Sequence, residues 1–203
     1  LPVDAVVVTV TPFHRPPQRD DVLAALLRAL RAMAPARPLL LADAYQSGQH
    51  YVETARLLEA YPEADAWVKY EGEITVPALL TRWLAGEAPS AGVHRGERPP
   101  RLDALPLPAW DLVDLAARDR FAARVVRASG RPRWQFRIDG RTLPVITSRG
   151  CPFRCAHCSS NPDVAPGEPK TQRRASRGRL ERLLGALVRE HGATRLTVLD
   201  ELV

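Results

Sequence analysis

Apolar and polar positions alternate along the chain in two recurring patterns. Ala5–Val10 is a continuous apolar, β-branched run, which predicts a strand buried on both faces. Asp20 and Asp21 then open a helix with apolar residues at Leu23, Leu26, Leu27, Leu30 and Met33. That spacing is a core-facing stripe, and Pro35 ends it. Leu39–Leu41 reads as a second strand, Val52–Tyr61 as a second helix stopped by Pro62, and Ala66–Tyr70 as a third strand. Thr75 can cap a third helix running through Leu84, with Gly86 suited to its C′ position. Strand–helix repetition with short connections predicts the α/β class, a parallel sheet covered by helices.

The pattern breaks between 88 and 140. Pro, Gly and Arg dominate Ala88–Pro108, the composition of a linker. Within it Leu105–Leu112 (LPLPAWDL) reads as an ordered tether, and Trp134–Ile138 as an extended segment. From Arg141 the strand–helix pattern returns. Leu143–Thr147 predicts a strand, and a cysteine-bearing loop follows it directly. Ser176 can cap a helix with the stripe Leu180, Leu183, Leu184, Leu187 and Val188, closed by Gly192. Arg195–Leu199 predicts the next strand, which ends at Asp200 and Glu201. The expected organisation is therefore an α/β domain over 1–87, a Pro/Arg-rich linker over 88–140, and the start of a second βα domain over 141–203.

Composition narrows the classes. A chain of 203 residues suits one or two domains, and 45% hydrophobic with 26% charged residues argues against disorder. No apolar run approaches the ~20 residues a membrane span needs. The apolar start is broken by Asp4 and lacks a basic flank, so it makes a poor signal peptide. The chain opens on Leu1 rather than Met, and a missing N-terminal piece is expected. The net charge of +6 is almost all arginine, the lysines being Lys69 and Lys170. Its densest patch, Arg173, Arg174, Arg177, Arg179 and Arg182, has no interleaved aromatic residue. That favours a solvated helix start over a nucleic-acid contact.

The three cysteines all lie in one loop, Cys151, Cys155 and Cys158. Clustered thiols in this number suit a reducing compartment, the cytoplasm, and a metal rather than a disulfide framework. A closed zinc site needs four ligands. His157 would complete the count, but it sits beside Cys158 instead of in a second separated pair. A cubane iron–sulfur cluster held by three thiolates leaves one iron open. Gly150 and Pro152 suit a tight loop around such a group. Cluster, zinc and unligated thiols remain the alternatives at this point.

The string Ile146–Ser160 (ITSRGCPFRCAHCSS), with its C-x3-C-x2-C spacing directly after a strand, resembles the radical S-adenosylmethionine (SAM) enzymes. LPLPAWDL resembles the tether of the cobalamin-binding class of that superfamily. Tyr70–Glu73 (YEGE) resembles the end of the cobalamin domain's last strand. The implied fold is a partial doubly wound, flavodoxin-like parallel sheet of the cobalamin-binding type, a linker, and then the first βαβ portion of a partial TIM barrel. Cys151, Cys155 and Cys158 would ligate a 4Fe–4S cluster, and SAM would bind its open iron. An external one-electron reductant would then start radical chemistry on an unidentified small molecule or peptide. Gly150, His157, Asp200 and Glu201 would lie at SAM, and Thr9, Thr11, Glu71, Gly72 and Glu73 at cobalamin. Cobalamin-dependent methyl transfer is one reaction open to this class, and ring-forming or rearranging reactions are others.

The chain also departs from the family pattern. Ala42 and Asp43 stand where a Gly-Gly pair usually lets the nucleotide tail of cobalamin approach the backbone. A methyl and a carboxylate there obstruct the tail, and burying an unpaired carboxylate is costly. His14 and His50 both follow strands but read as ordinary loop histidines. Both domains look incomplete, so a chain truncated at both ends is expected. A catalytically silent zinc or iron–sulfur module, or an inert fragment, are the competing readings.

Overall fold

The computed structural model of the chain describes residues 3–10, 19–43, 57–88, 91–129, 140–153 and 171–200. It falls into two compact units, Leu1–Pro100 with Gly150–Thr171, and Arg101–Arg149 with Gln172–Val203. Among the described residues, no helix is long and apolar enough to cross a membrane.

The first unit is a four-stranded parallel sheet in the order β1 (Val6–Val10), β2 (Leu39–Asp43), β3 (Ala66–Lys69), β4 (Gly92–Arg95). Helices cover both faces, as in Rossmann and flavodoxin-type folds. On one face Leu39, Leu41 and Trp67 pack with Val10, Tyr61 and the buried side of α1 (Asp21–Met33). On the other, Leu40, Ala66 and Val68 pack with Leu79 and Trp83 of α3 (Thr75–Leu84). A short helix, α2 (Leu57–Ala60), precedes β3, and the rest of the predicted Val52–Tyr61 helix lies outside the described residues.

In this unit four details differ from the sequence reading. The Ala5–Val10 run is not buried on both faces: Val7 and Thr9 are exposed, while β2 and β3 are the strands covered twice. Among the described strands β1 stands at the edge of the sheet, where α3 does not reach. The α1 stripe is narrower than predicted. Leu23, Ala24 and Leu27 are buried, but Leu26 and Met33 face solvent, because the flat sheet covers only one narrow side of the helix. Thr75 does not cap α3; Ile74 occupies that place without a side-chain bond, and the Thr75 hydroxyl accepts from the Glu97 amide instead. Finally, β4 lies in the stretch read as linker and adds a parallel strand there. Other expectations match: Asp20 caps α1 through the amides of Val22 and Leu23, and Gly86 ends α3 with φ +95°.

The second unit is built on one βαβ element. β5 (Thr142–Val145) pairs in parallel with β8 (Arg195–Val198), and α5 (Arg177–Gly185) lies between them in sequence. Leu143 and Val145 pack against Leu183 and Leu187 from α5 and its continuing π-helical turn, Ala186–Glu190. Val188, predicted in the stripe, is exposed because that turn widens the helical winding and rotates it outward. Gly192 follows with φ +65°. Ser176 caps α5 by accepting from the Arg179 amide. The LPLP segment is docked on the same helix: the buried Arg179 guanidinium donates to the carbonyls of Leu105 and Pro106, and Asp103 accepts from the Ser176 amide and hydroxyl. A further helix, α4 (Leu115–Ala128), is capped by Asp114. A short antiparallel ladder, β6 (Ser148–Arg149) with β7 (Arg173–Arg174), completes the unit.

Candidate functional site

The cysteine loop leaves the second unit at the end of β6 and returns at β7. Gly150 sits at φ +85°, a left-handed conformation that glycine adopts without a Cβ penalty. It turns the chain sharply before Cys151, which is half-buried and in no disulfide. Pro152 and Phe153 are exposed. Cys155, His157 and Cys158 lie outside the described residues, as do Thr11, His14, His50 and Glu201.

Asp200 follows β8 at the carboxyl end of the parallel pair. One carboxylate oxygen accepts from the Thr147 amide at 2.7 Å. The other accepts from the Thr147 hydroxyl and from the Ser148 hydroxyl, the latter at 2.8 Å. Burial pushes this carboxyl up, but the hydrogen bonds from Thr147 and Ser148 outweigh burial and hold it below the ordinary range. Ser148 is itself buried and accepts from the Gln172 amide group at 3.0 Å, while Gln172 accepts from the Arg174 guanidinium. Sequence reasoning found Asp200 but missed Thr147, Ser148 and Gln172. Hydroxyls just before the cysteine loop were the available signal.

The other candidate residues line the carboxyl edge of the sheet in the first unit. Open α/β sheets bind ligands at such an edge. Thr9 is exposed and stands in register with Ala42. Glu71 is buried, Gly72 half-buried and Glu73 exposed; the Gly72 carbonyl accepts from the Val76 amide in the first turn of α3. The Asp43 carboxylate accepts from the Trp67 indole N–H at 3.0 Å and from the Tyr70 amide at 2.8 Å. It is therefore not the unpaired charge assumed from sequence. It holds Tyr70 at φ +70°, a left-handed conformation rare for an aromatic residue. Lys69 and Arg95 lie over the Tyr70 ring, 4.9 and 5.4 Å from its centre. Gly96 closes the edge: its amide donates to the Lys69 carbonyl, and a Cβ there would stand 1.9 Å from the Glu71 carbonyl oxygen. Sequence reasoning missed Gly96, because only the approach of β4 to β3 shows why glycine is required.

The two implied cofactors fare differently. For a 4Fe–4S cluster the donor set fits: three thiols share one loop, and the described one is unbridged and half-buried beside a left-handed glycine. Among the described residues, no group of three or more His, Cys, Asp or Glu gathers as a metal site. For cobalamin the residues do not fit. The resemblance implies bare backbone at the end of β2 for the nucleotide tail, and there the Asp43 side chain reaches across to Trp67 and Tyr70.

The second unit also has a largely apolar groove of about 480 Å³, lined by Phe121 and Val125 of α4 and by Pro144, Thr197 and Leu199. The charged groups on its wall are already paired: Arg118 donates to the Thr142 carbonyl, and Asp119 accepts from Arg141.

No family model matches the chain. It is similar to an uncharacterized methyltransferase of Synechocystis sp., 32% identical over 95 residues, which are 47% of this chain and 13% of that protein. It is also similar to an uncharacterized methyltransferase of Pyrococcus horikoshii, 30% identical over 169 residues, 76% of this chain and 32% of that protein. The chain thus spans about a third or less of the length of these curated relatives.

Proposed function

We propose that the chain carries the cluster-binding part of a radical SAM enzyme whose reaction class is methyl transfer. The observation that supports it most is the grouping of all three thiols within eight residues, on the segment that follows β5 of a parallel βαβ element along the chain, the kind of connection from which barrel enzymes draw their chemistry. Similarity to proteins named methyltransferases favours the reaction class. In this reading Cys151, Cys155 and Cys158 hold a 4Fe–4S cluster. When bound, that cluster and SAM supply reductive cleavage of the sulfonium by an external one-electron donor. The chain's own residues position and shield. Gly150 turns the backbone immediately before Cys151, while His157 and Glu201 are proposed neighbours of SAM. Thr9, Thr11, Glu71, Gly72 and Glu73, the residues expected at cobalamin, receive no step, because the Asp43 side chain occupies the end of β2 beside Trp67 and Tyr70.

Anaerobic reconstitution with ferrous iron and sulfide tests the reading. The expected result is about four irons per chain with the broad visible absorbance of thiolate-bound clusters. Cys151→Ala, Cys155→Ala and Cys158→Ala should each abolish or badly weaken it, since no spare thiol exists. His157→Ala should leave iron content unchanged. One zinc per chain in place of iron, or full iron in Cys155→Ala, overturns the proposal.

A further inference from the structure

The two ends of the cysteine loop meet in the β6–β7 ladder, where Ser148 faces Arg174 and Arg149 faces Arg173. So short a ladder has little stability of its own. It is held from outside by Asp200. The carboxylate grips Thr147 and Ser148 on the outgoing strand. Ser148 passes the grip to Gln172, and Gln172 to Arg174 on the returning strand. The Ala175 amide closes the same mouth by donating to the Thr147 carbonyl. Three hydrogen bonds already fill most of the roughly four acceptor sites of a carboxylate. Little capacity remains for the ligand contact expected at this position from sequence.

We propose that Asp200 is a positioning residue that fixes the mouth of the cysteine loop from the end of β8, and that retention of a metal cluster by the loop depends on this grip. The second half of this rests on the proposed function; the clamp itself does not. Asp200 acts through Thr147 and Ser148.

The test is hydrogen exchange on the full chain without metal, comparing wild type, Asp200→Ala and Asp200→Asn. In Asp200→Ala the amides of 147–149 and 173–175 should exchange at least about tenfold faster, with β5 and α5 unchanged. Asn keeps a carbonyl acceptor for the Thr147 amide and an amide donor for the hydroxyl oxygens, so it should restore most of the protection. After reconstitution with ferrous iron and sulfide, Asp200→Ala should lose iron to a ferrous chelator about tenfold faster than wild type. Unchanged exchange at the loop mouth overturns the clamp. So does acceleration spread equally over β5 and α5, which would make Asp200 a general support of the fold. Localised fast exchange in Asp200→Ala, with no iron taken up by wild type, upholds the clamp and refutes the cluster reading.

Discussion

Replacing Asp43 with Ala should be among the most damaging polar substitutions in the first unit. The carboxylate accepts from the Trp67 indole, a side chain with 0% exposure, and from the Tyr70 amide. Removing it strands a donor inside the core that water does not reach, at about 1–3 kcal/mol. The Tyr70 amide loses its acceptor too, at about 1 kcal/mol, partly offset because Tyr70 can relax from its left-handed conformation. The net loss should be about 2 kcal/mol. Urea unfolding followed by tryptophan fluorescence measures it. The midpoint should fall by roughly 0.7–2 M with an unchanged slope, taking a slope of about 1–3 kcal/mol per M. In a Trp67→Phe background, which has no indole donor, the same substitution should cost at least about 1 kcal/mol less. A loss below about 0.5 kcal/mol, or equal losses in the two backgrounds, would refute the reasoning. The paired change Ala42→Gly with Asp43→Gly, which would bare the backbone for a nucleotide tail, should share this penalty.

Arg179→Met should release the LPLP segment, because the Leu105 and Pro106 carbonyls lose their donor. The expected cost is about 2 kcal/mol, with faster tryptic cleavage after Arg101, and Arg179→Lys should not restore the forked contact. Acid should open the loop mouth. The folded-state carboxyl of Asp200 lies below its ordinary value of 3.8, so its contribution is fully present above that pH and lost as pH falls through the lower folded value. Asp200→Asn should therefore show a shallower loss of stability below about pH 4 in urea midpoints measured across pH, and an unchanged acid limb would contradict this.

Much of the fold can be read from local pattern. The runs at Leu39–Leu41 and Ala66–Val68 become the central strands, and the caps at Asp20, Ser176 and Gly86 all form. What escapes is decided by neighbours distant in sequence. The Ala5–Val10 run has the same apolar signature as β2, and its place at the edge of the described strands leaves Val7 and Thr9 exposed. β4 is a short strand in Pro- and Arg-rich surroundings, so its pairing with β3 comes from the sheet and not from propensity. At the candidate site the cysteines announce themselves by spacing. The clamp does not, because Asp200 reaches Thr147 across 53 residues. Nor does the sequence reveal that Asp43 has partners, since Trp67 and Tyr70 meet it only once β2 and β3 lie side by side.

The position of Asp200 has a consequence for biosynthesis. Every thiol leaves the ribosome before the carboxylate that closes the loop, and Thr147 precedes Asp200 by 53 residues. At about 5–20 residues per second the interval is about 3–10 s. Before Asp200 is made the thiols lack this clamp, while the described strands of the first sheet, which end at Arg95, are already synthesised. A nascent chain thus exposes its thiols to metal, oxidant or chaperone before it can latch them in place. Oxidative loss at Cys151, Cys155 or Cys158 should then depend on how fast translation reaches Asp200, and slowing the ribosome between these codons should lower the yield of intact thiols.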